Sequence, residues 1–352
     1  MCTTYLKTAA SAALAAGAFT LGAGGAAQAD GQLTLVAGGG LQATALIEEF
    51  FEPFSEETGT EMIHVAAFTG EQFARVRAMT NIGRVEWDIV TSTVTNFVSE
   101  ADLLEPLDCS RLTNLADNAV EGACTEQGLL RNVAATSMAW STEAFPDGGP
   151  RTWAEFWDVE AFPGKRCMMG TQPTGVMAIA LMADGVPRDE LYPIDIDRAL
   201  ASLERIKPHT SVWWTSGDQS QQTLRNGECD LAMMWSGQVI AMIKGGEPFD
   251  FTWQDAVQVS GYWSILRDAP NKDLAYEFLN YSLLRPEAHR AFFDITNYDT
   301  ANRNAFVDVP EGMERLHISR PENFSRTIRE DWKAMAEQMD DIRQRFTAFL
   351  TL

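Results

Sequence analysis

Basic residues are scarce in this chain. Lys and Arg number 27 against 49 Asp and Glu, a formal net charge of −22 over 352 residues. Phosphate backbones are bound by basic faces, so this balance argues against a nucleic-acid partner. Histidine is scarcer still: His64, His209, His289 and His317 are the four. None stands in a motif with a nucleophile or a metal ligand, and G-x-S-x-G, H-E-x-x-H and the P-loop are missing. The cysteine spacings fit no zinc motif. The reading is therefore no enzyme, no cofactor and no metal site. Beyond the N-terminal segment, no apolar run approaches the ~18 residues of a membrane-spanning helix.

What is present describes a globular protein. Hydrophobic residues make up 45% and charged residues 22% of the chain, and the length allows two domains with separate cores. Near the N-terminus Lys7 precedes an Ala-rich apolar stretch, Ala9 to Leu21, and Ala27-Gln28-Ala29 puts small residues at −3 and −1. Residues 1–29 are predicted to be a signal peptide cleaved after Ala29, which implies export to the periplasm. Cys2 lies before the apolar stretch and is no lipoprotein cysteine. The remaining Cys109, Cys124, Cys167 and Cys229 suggest disulfides in an oxidising compartment. Cys109 and Cys124 would close a short surface loop. Cys167 and Cys229 sit beside predicted buried strands, where a pair and two core thiols are both open.

The chain then reads as strand, loop and helix in repetition. Leu33 to Ala37 is a strand, Gly38-Gly39-Gly40 a glycine run, and Leu46, Ile47, Phe50, Phe51 and Phe54 mark a helix by their three- and four-residue spacing. Glu61 to Ala66 is a strand, Gln72 to Met79 a helix, Trp87 to Ser92 a strand and Val94 to Leu103 a helix. The second half repeats the grammar. Arg166 to Met169 is a strand leading into Thr171-Gln172-Pro173-Thr174-Gly175, and Asp230 to Trp235 is a buried strand ending at Ser236-Gly237. Val257 to Leu266 is extended, Leu274 to Leu284 helical, and Arg326 to Leu350 a long terminal helical region. This is the pattern of an α/β fold with an open sheet, in which ligands bind beyond the carboxyl ends of the strands.

Candidate site residues come from those loops. Gly39 and Gly40 form a tight ligand-facing turn, without the Lys of a P-loop. Ten tryptophans is a high count, and Trp214, Trp235 and Trp263, with Tyr262, fall at strand ends or loops. Aromatic walls hold apolar chains and attract cations, although core packing is the ordinary role of any one of them. Asp218 follows Trp213-Trp214; it suits an ammonium partner or a helix N-cap equally.

Several segments together resemble the periplasmic binding proteins of ABC importers, in the spermidine/putrescine-binding branch. They include Phe50-Phe51-Glu52-Pro53-Phe54-Ser55-Glu56-Glu57-Thr58-Gly59, Trp87-Asp88-Ile89-Val90, Leu103-Leu104-Glu105-Pro106-Leu107-Asp108 and Thr152-Trp153-Ala154-Glu155-Phe156-Trp157-Asp158. Met234-Trp235-Ser236-Gly237, Ala269-Pro270-Asn271-Lys272-Asp273, Arg285-Pro286-Glu287-Ala288 and Asn297-Tyr298-Asp299-Thr300-Ala301-Asn302 continue the series. Their order covers nearly the whole chain after residue 29. The resemblance implies a type II, cluster D binding protein: two α/β lobes joined by a hinge, with the ligand in the cleft. Lobe 1 would hold residues 30–138 and about 263–318, and lobe 2 residues 139–262 and about 319–352. The chain would cross near Ala135–Ser141 and Gly261–Ile265. The partners implied are a small-molecule ligand and an inner-membrane ABC permease, and the protein would act as a monomer.

Carried over residue by residue, the resemblance adds Ser92 and Thr93 on the lobe 1 loop, Trp235 as a wall and Tyr298 facing the ligand. Acidic residues of polyamine binders correspond to Thr171 or Gln172, to Gly175 and to Trp263. A buried diammonium needs charged partners, so the expected ligand is a smaller amine-bearing or zwitterionic solute, with glycine-loop N–H groups for any carboxylate. A true putrescine or spermidine binder, and a small carboxylate or phosphonate binder using the glycine loop, are the alternatives.

Overall fold

The computed structural model describes residues 31–67 and 69–351; the expected signal peptide lies outside the described residues. Its strands are β1 (Gln32–Ala37), β2 (Glu61–Ala66), β3 (Ile89–Thr93), β4 (Cys124–Thr125) and β5 (Gly128–Ser141). They continue with β6 (Arg166–Met169), β7 (Thr210–Trp214), β8 (Leu231–Trp235), β9 (Phe249–Ile265) and β10 (Asp299–Thr300). The sheet runs β2-β1-β3-β9-β5-β8-β6-β7, with β4 and β10 against β5.

Each end of this sheet is parallel. β1 pairs with β2 and β3, and β6 with β7 and β8. Parallel strands are covered on both faces and favour continuous apolar runs, as Leu33, Leu35 and Val36 and then Cys167, Met168 and Met169 show, all with no exposed surface. Helices supply the cover. In the first, Leu46, Phe50 and Phe54 fall at four-residue intervals on the buried side. It ends at Gly59, whose φ of 75° gives the left-handed C-cap that glycine adopts readily.

The two ends are joined by β5 and β9, antiparallel to one another. β3 pairs with the C-terminal part of β9, from Ile89↔Ile265 to Thr93↔Gly261. β8 pairs with the C-terminal part of β5, from Thr136↔Trp235 to Trp140↔Leu231. Register shifts between Leu130 and Asn132 and between Thr136 and Met138 bracket the changeover. The long β9 begins eight residues before the predicted extended stretch. Its alternation of buried Phe249, Phe251 and Trp253 with half-buried neighbours is the period of a strand.

The predicted terminal helical region is corrected. It contains the helices Trp332–Met335 and Met339–Thr351 with a short 3-10 turn between, but Arg326 to Glu330 lie outside any helix. Ile328 donates its N–H to Ala256 O at 2.8 Å, and Gln258 donates to Ile328 O at 2.8 Å. Sheet bonds on β9 have replaced helix bonds, and a third strand-like passage joins the two halves. The predicted helix Val94–Leu103 also divides, into Val94–Ser99 and a 3-10 turn Ala101–Leu103.

Both cysteine pairs are disulfides: Cys109–Cys124 with Cα atoms 6.0 Å apart, and Cys167–Cys229 at 5.6 Å. Among the described residues no helix is long and apolar enough to cross a membrane.

Candidate functional site

A cavity of about 380 Å³ opens between the two halves, at the small end of the range for small-molecule sites. Thr93 and Thr95 line it from the end of β3, and Gln172, Thr174 and Gly175 from the loop and helix after β6. Thr136 of β5 and Val257 to Ser260 of β9 form its floor, and Glu330 closes one side. Two strand ends of opposite halves thus face one space, where an open α/β sheet places its ligands.

Local chemistry fixes these loops. Thr93 is the N-cap of Val94–Ser99, with Asn96 returning a bond to the Thr93 backbone N–H at 2.9 Å. Gln172 caps Pro173–Ala183 in the left-handed region, at φ 51°. Its side chain accepts a 3.1 Å hydrogen bond from the indole N–H of Trp235, at the end of β8. Trp235 therefore stands beside the cavity, half-buried, edge-on to Trp214 with ring centroids 5.2 Å apart. Gly237 follows it, and a side chain there would overlap the Tyr298 ring. Tyr298 is half-buried against Gly237, its hydroxyl pushed up by burial against a smaller pull from Gln238.

Glu330 is the group that sequence reasoning missed. Its Oε1 is shielded from solvent and has no hydrogen-bond partner. Burial pushes the carboxyl from 4.5 up to about 7, against a smaller opposing pull from the Thr174 hydroxyl. The Tyr192 hydroxyl nearby is also buried without a partner, and its pKa is raised by burial first and then by Glu330 and Asp331. Glu330 sat inside a predicted helix, and only the non-local bonding of Ile328 to β9 turns it inward. Oε1 lies 4.0 Å from where a Cβ on Gly175 would stand. Gly175 is one of the positions at which the resemblance called for an acid, and the carboxylate now reaches that place from another part of the chain.

The other expected site residues divide. Thr171 lies on the same loop as Gln172, its Oγ1 buried and unpartnered. Gly39 and Gly40 are on an open turn, with no heavy atom within 4 Å of a built Cβ and φ 75° at Gly40. Asp218 is exposed in the first turn of Gly217–Arg225, and the N-cap of that helix is Ser216. Four residues are packed in the core. Trp214 is 0% exposed and donates its indole N–H to Met233 O at 2.8 Å. Trp263 packs edge-on to Phe278, and Tyr262 against Phe97. Ser92 is buried with its Oγ 2.6 Å from Ser264 Oγ. Their bonds and contacts are already taken, so the structure does not bring these four to the cavity. Among the described residues no group of three or more His, Cys, Asp or Glu could hold a metal ion.

The profile of the bacterial extracellular solute-binding protein family matches residues 49–312. A gamma-aminobutyric acid-binding protein of Pseudomonas aeruginosa is 29% identical over 310 residues, covering 86% of each chain. The spermidine/putrescine-binding periplasmic protein of Escherichia coli is 23% identical over 262 residues, 71% of this chain and 73% of that one. Among solved structures, an ABC transporter substrate-binding protein from Bradyrhizobium japonicum is 31% identical with a TM-score of 0.79, covering 91% of this chain and 99% of that one.

Proposed function

This chain belongs to the bacterial extracellular solute-binding protein family, and from that membership we propose that it captures a small primary-amine solute, such as an amino acid, for import. Proteins of this family are the substrate-binding components of ABC transporters, and the chain is accordingly a binding protein and not an enzyme. Delivery is to an ABC permease in the inner membrane. Residues 1–29 direct export to the periplasm, where the E. coli relative acts by its name.

The observation that carries the ligand class is the Glu330 carboxylate, buried at the cavity wall with Oε1 unpaired. A buried charge without a partner is costly. An ammonium group removes that cost, which gives a cation a large advantage over a neutral solute of the same size. Thr93, Thr95, Gln172 and Thr174 supply neutral polar contacts, and Trp235 and Tyr298 an aromatic wall.

A diamine is the weaker reading. A second ammonium needs a second free carboxylate. Asp340 also lines the cavity, but it is largely exposed and already bound to Arg343 at 2.8 Å. The name of the P. aeruginosa relative points the same way, to a ligand with one amine.

The lobes join where strand partners change, at residues 132–136 in β5 and 257–261 in β9, with Arg326 to Glu330 as a third connection. These points lie just inside the 138/139 and 262/263 boundaries drawn from the resemblance. Closure about them brings Thr93 and Gln172 together over the ligand.

A thermal-shift screen over primary amines, amino acids, betaines, sugars and organic acids tests the proposal. Ligand bound to the native state raises the melting temperature by mass action. Amine-bearing compounds should give the largest shifts. Shifts confined to sugars or organic acids would overturn it.

A further inference from the structure

We propose that Gln172 is a specificity residue locked as a hydrogen-bond donor by Trp235, so that the cavity takes an amine that also carries an oxygen acceptor and turns away a diamine. This rests on the amine reading of Glu330 and adds what the rest of the solute must offer. Gln172 and Glu330 line the same cavity. The indole N–H of Trp235 is a donor with no acceptor capacity, and it reaches Gln172 Oε1 at 3.1 Å. Turned over, the amide would set its own N–H groups against the indole N–H. The indole therefore fixes which way the amide faces. That bond is the one side-chain hydrogen bond of Gln172 among the described residues. Its oxygen is taken, and its two N–H donors are left for whatever fills the cavity.

Other lining groups do not offer the same contact. Thr93 spends its hydroxyl hydrogen on Asn96 Oδ1 at 3.0 Å. Gln258 spends a donor on Thr327 Oγ1 at 2.8 Å. The Arg343 guanidinium is largely exposed and bound to Asp340 at 2.8 Å. Gln172 also holds a costly backbone. It sits at φ 51° and ψ 61°, directly before Pro173. Left-handed backbone is uncommon for residues other than glycine, asparagine and aspartate, and the residue before proline is pushed towards extended conformations. Strain of this kind persists where the surroundings hold it and clusters at ligand clamps.

The donor character of Gln172 decides between solutes. An ammonium group has three donors and no acceptor. A second ammonium at Gln172 would set donor against donor, whereas a hydroxyl, carbonyl or carboxylate oxygen accepts. Gln172 stands three residues before Gly175, beside which Glu330 ends, about 5 Å along the helix axis. A chain of a few carbons covers that separation.

Three probes on one four-carbon chain test this by titration calorimetry at pH 8: butylamine, 4-amino-1-butanol and 1,4-diaminobutane. Wild-type protein should bind the amino alcohol about fivefold more tightly than either other probe, as one neutral hydrogen bond allows. Gln172→Glu keeps an acceptor for Trp235 and replaces the donors by a charge. It should raise the diamine-to-alcohol affinity ratio by roughly 30-fold. Trp235→Phe frees the amide to turn and should bring alcohol and diamine within about twofold of each other. Gln172→Gly relieves the left-handed backbone, so it should melt no lower than wild type and yet bind alcohol and butylamine equally. Equal wild-type affinities for alcohol and butylamine would overturn the donor role. So would an alcohol preference that survives in folded Gln172→Gly protein, or a diamine-to-alcohol ratio unmoved by Gln172→Glu. Butylamine binding that is lost in Glu330→Gln keeps the amine reading standing in each of those cases. Butylamine that binds wild-type and Glu330→Gln protein alike, or wild-type protein that binds none of the three, would overturn both.

Discussion

Glu330 Oε1 stands 4.0 Å from the position a Cβ on Gly175 would occupy. The missing side chain and the buried carboxylate are complementary. Gly175 lies in the first turn of a helix, and its built Cβ meets Val257 Cγ1 at 3.6 Å, an ordinary contact. Gly175→Ala should therefore fold and gain about 0.5–1 kcal/mol of stability from helix propensity. It should also weaken amine binding several-fold, because the methyl group occupies space beside the carboxylate. Denaturant melts and a binding titration on the same preparation measure both effects.

The pH dependence follows from burial of the same group. The folded pKa of Glu330 is raised from 4.5 to about 7. The folded protein therefore holds this proton over a range where the unfolded chain has lost it. Its contribution to stability is complete below pH 4.5 and is lost as pH rises through 7. A shift of that size corresponds to roughly 3–4 kcal/mol. Glu330→Gln should accordingly raise the melting temperature at pH 8 and change it little at pH 4. Ligand binding at pH 6.5 should release protons, seen as a binding enthalpy that varies with buffer ionisation heat.

Trp235 links the aromatic wall to Gln172. Trp235→Phe keeps a ring but removes the 3.1 Å bond to Gln172 Oε1. It should cost about 0.5–1.5 kcal/mol of binding free energy, as one neutral hydrogen bond does. Trp235→Ala should cost more, since the wall itself is lost. Competition titrations with one amine rank the three proteins.

The Cys109–Cys124 disulfide closes a 15-residue separation. Replacing both residues by Ser should lower stability by about 3 kcal/mol, the chain-entropy value for such a loop. Neither cysteine lines the cavity, so affinity should be unchanged. Chemical denaturation and a binding titration separate the two effects.

Much of the architecture was legible because it is local. The apolar runs of β1, β6 and β8 and the spacing of Leu46, Phe50 and Phe54 report their own burial. Thr93 and Gln172 were legible as well, since strand ends in α/β sheets face ligands. The Glu330 carboxylate was not. Glu330 belongs to a stretch whose helical pattern is overridden by sheet bonds from Ile328 to Ala256 and Gln258 of β9, far away in sequence. Trp214, Tyr262 and Trp263 look from the sequence like Trp235 does. Only tertiary contacts put those three in the core and Trp235 at the cleft.

The central claim is that Glu330 holds the ammonium group of a small solute. The most direct measurement is a calorimetric titration of wild-type and Glu330→Gln protein with 4-aminobutyrate at pH 8, where the carboxylate is ionised. Truncating one side of a buried charge pair costs about 2–5 kcal/mol, so affinity should fall at least 30-fold while the variant stays folded. Equal affinities in the two folded proteins would contradict the account.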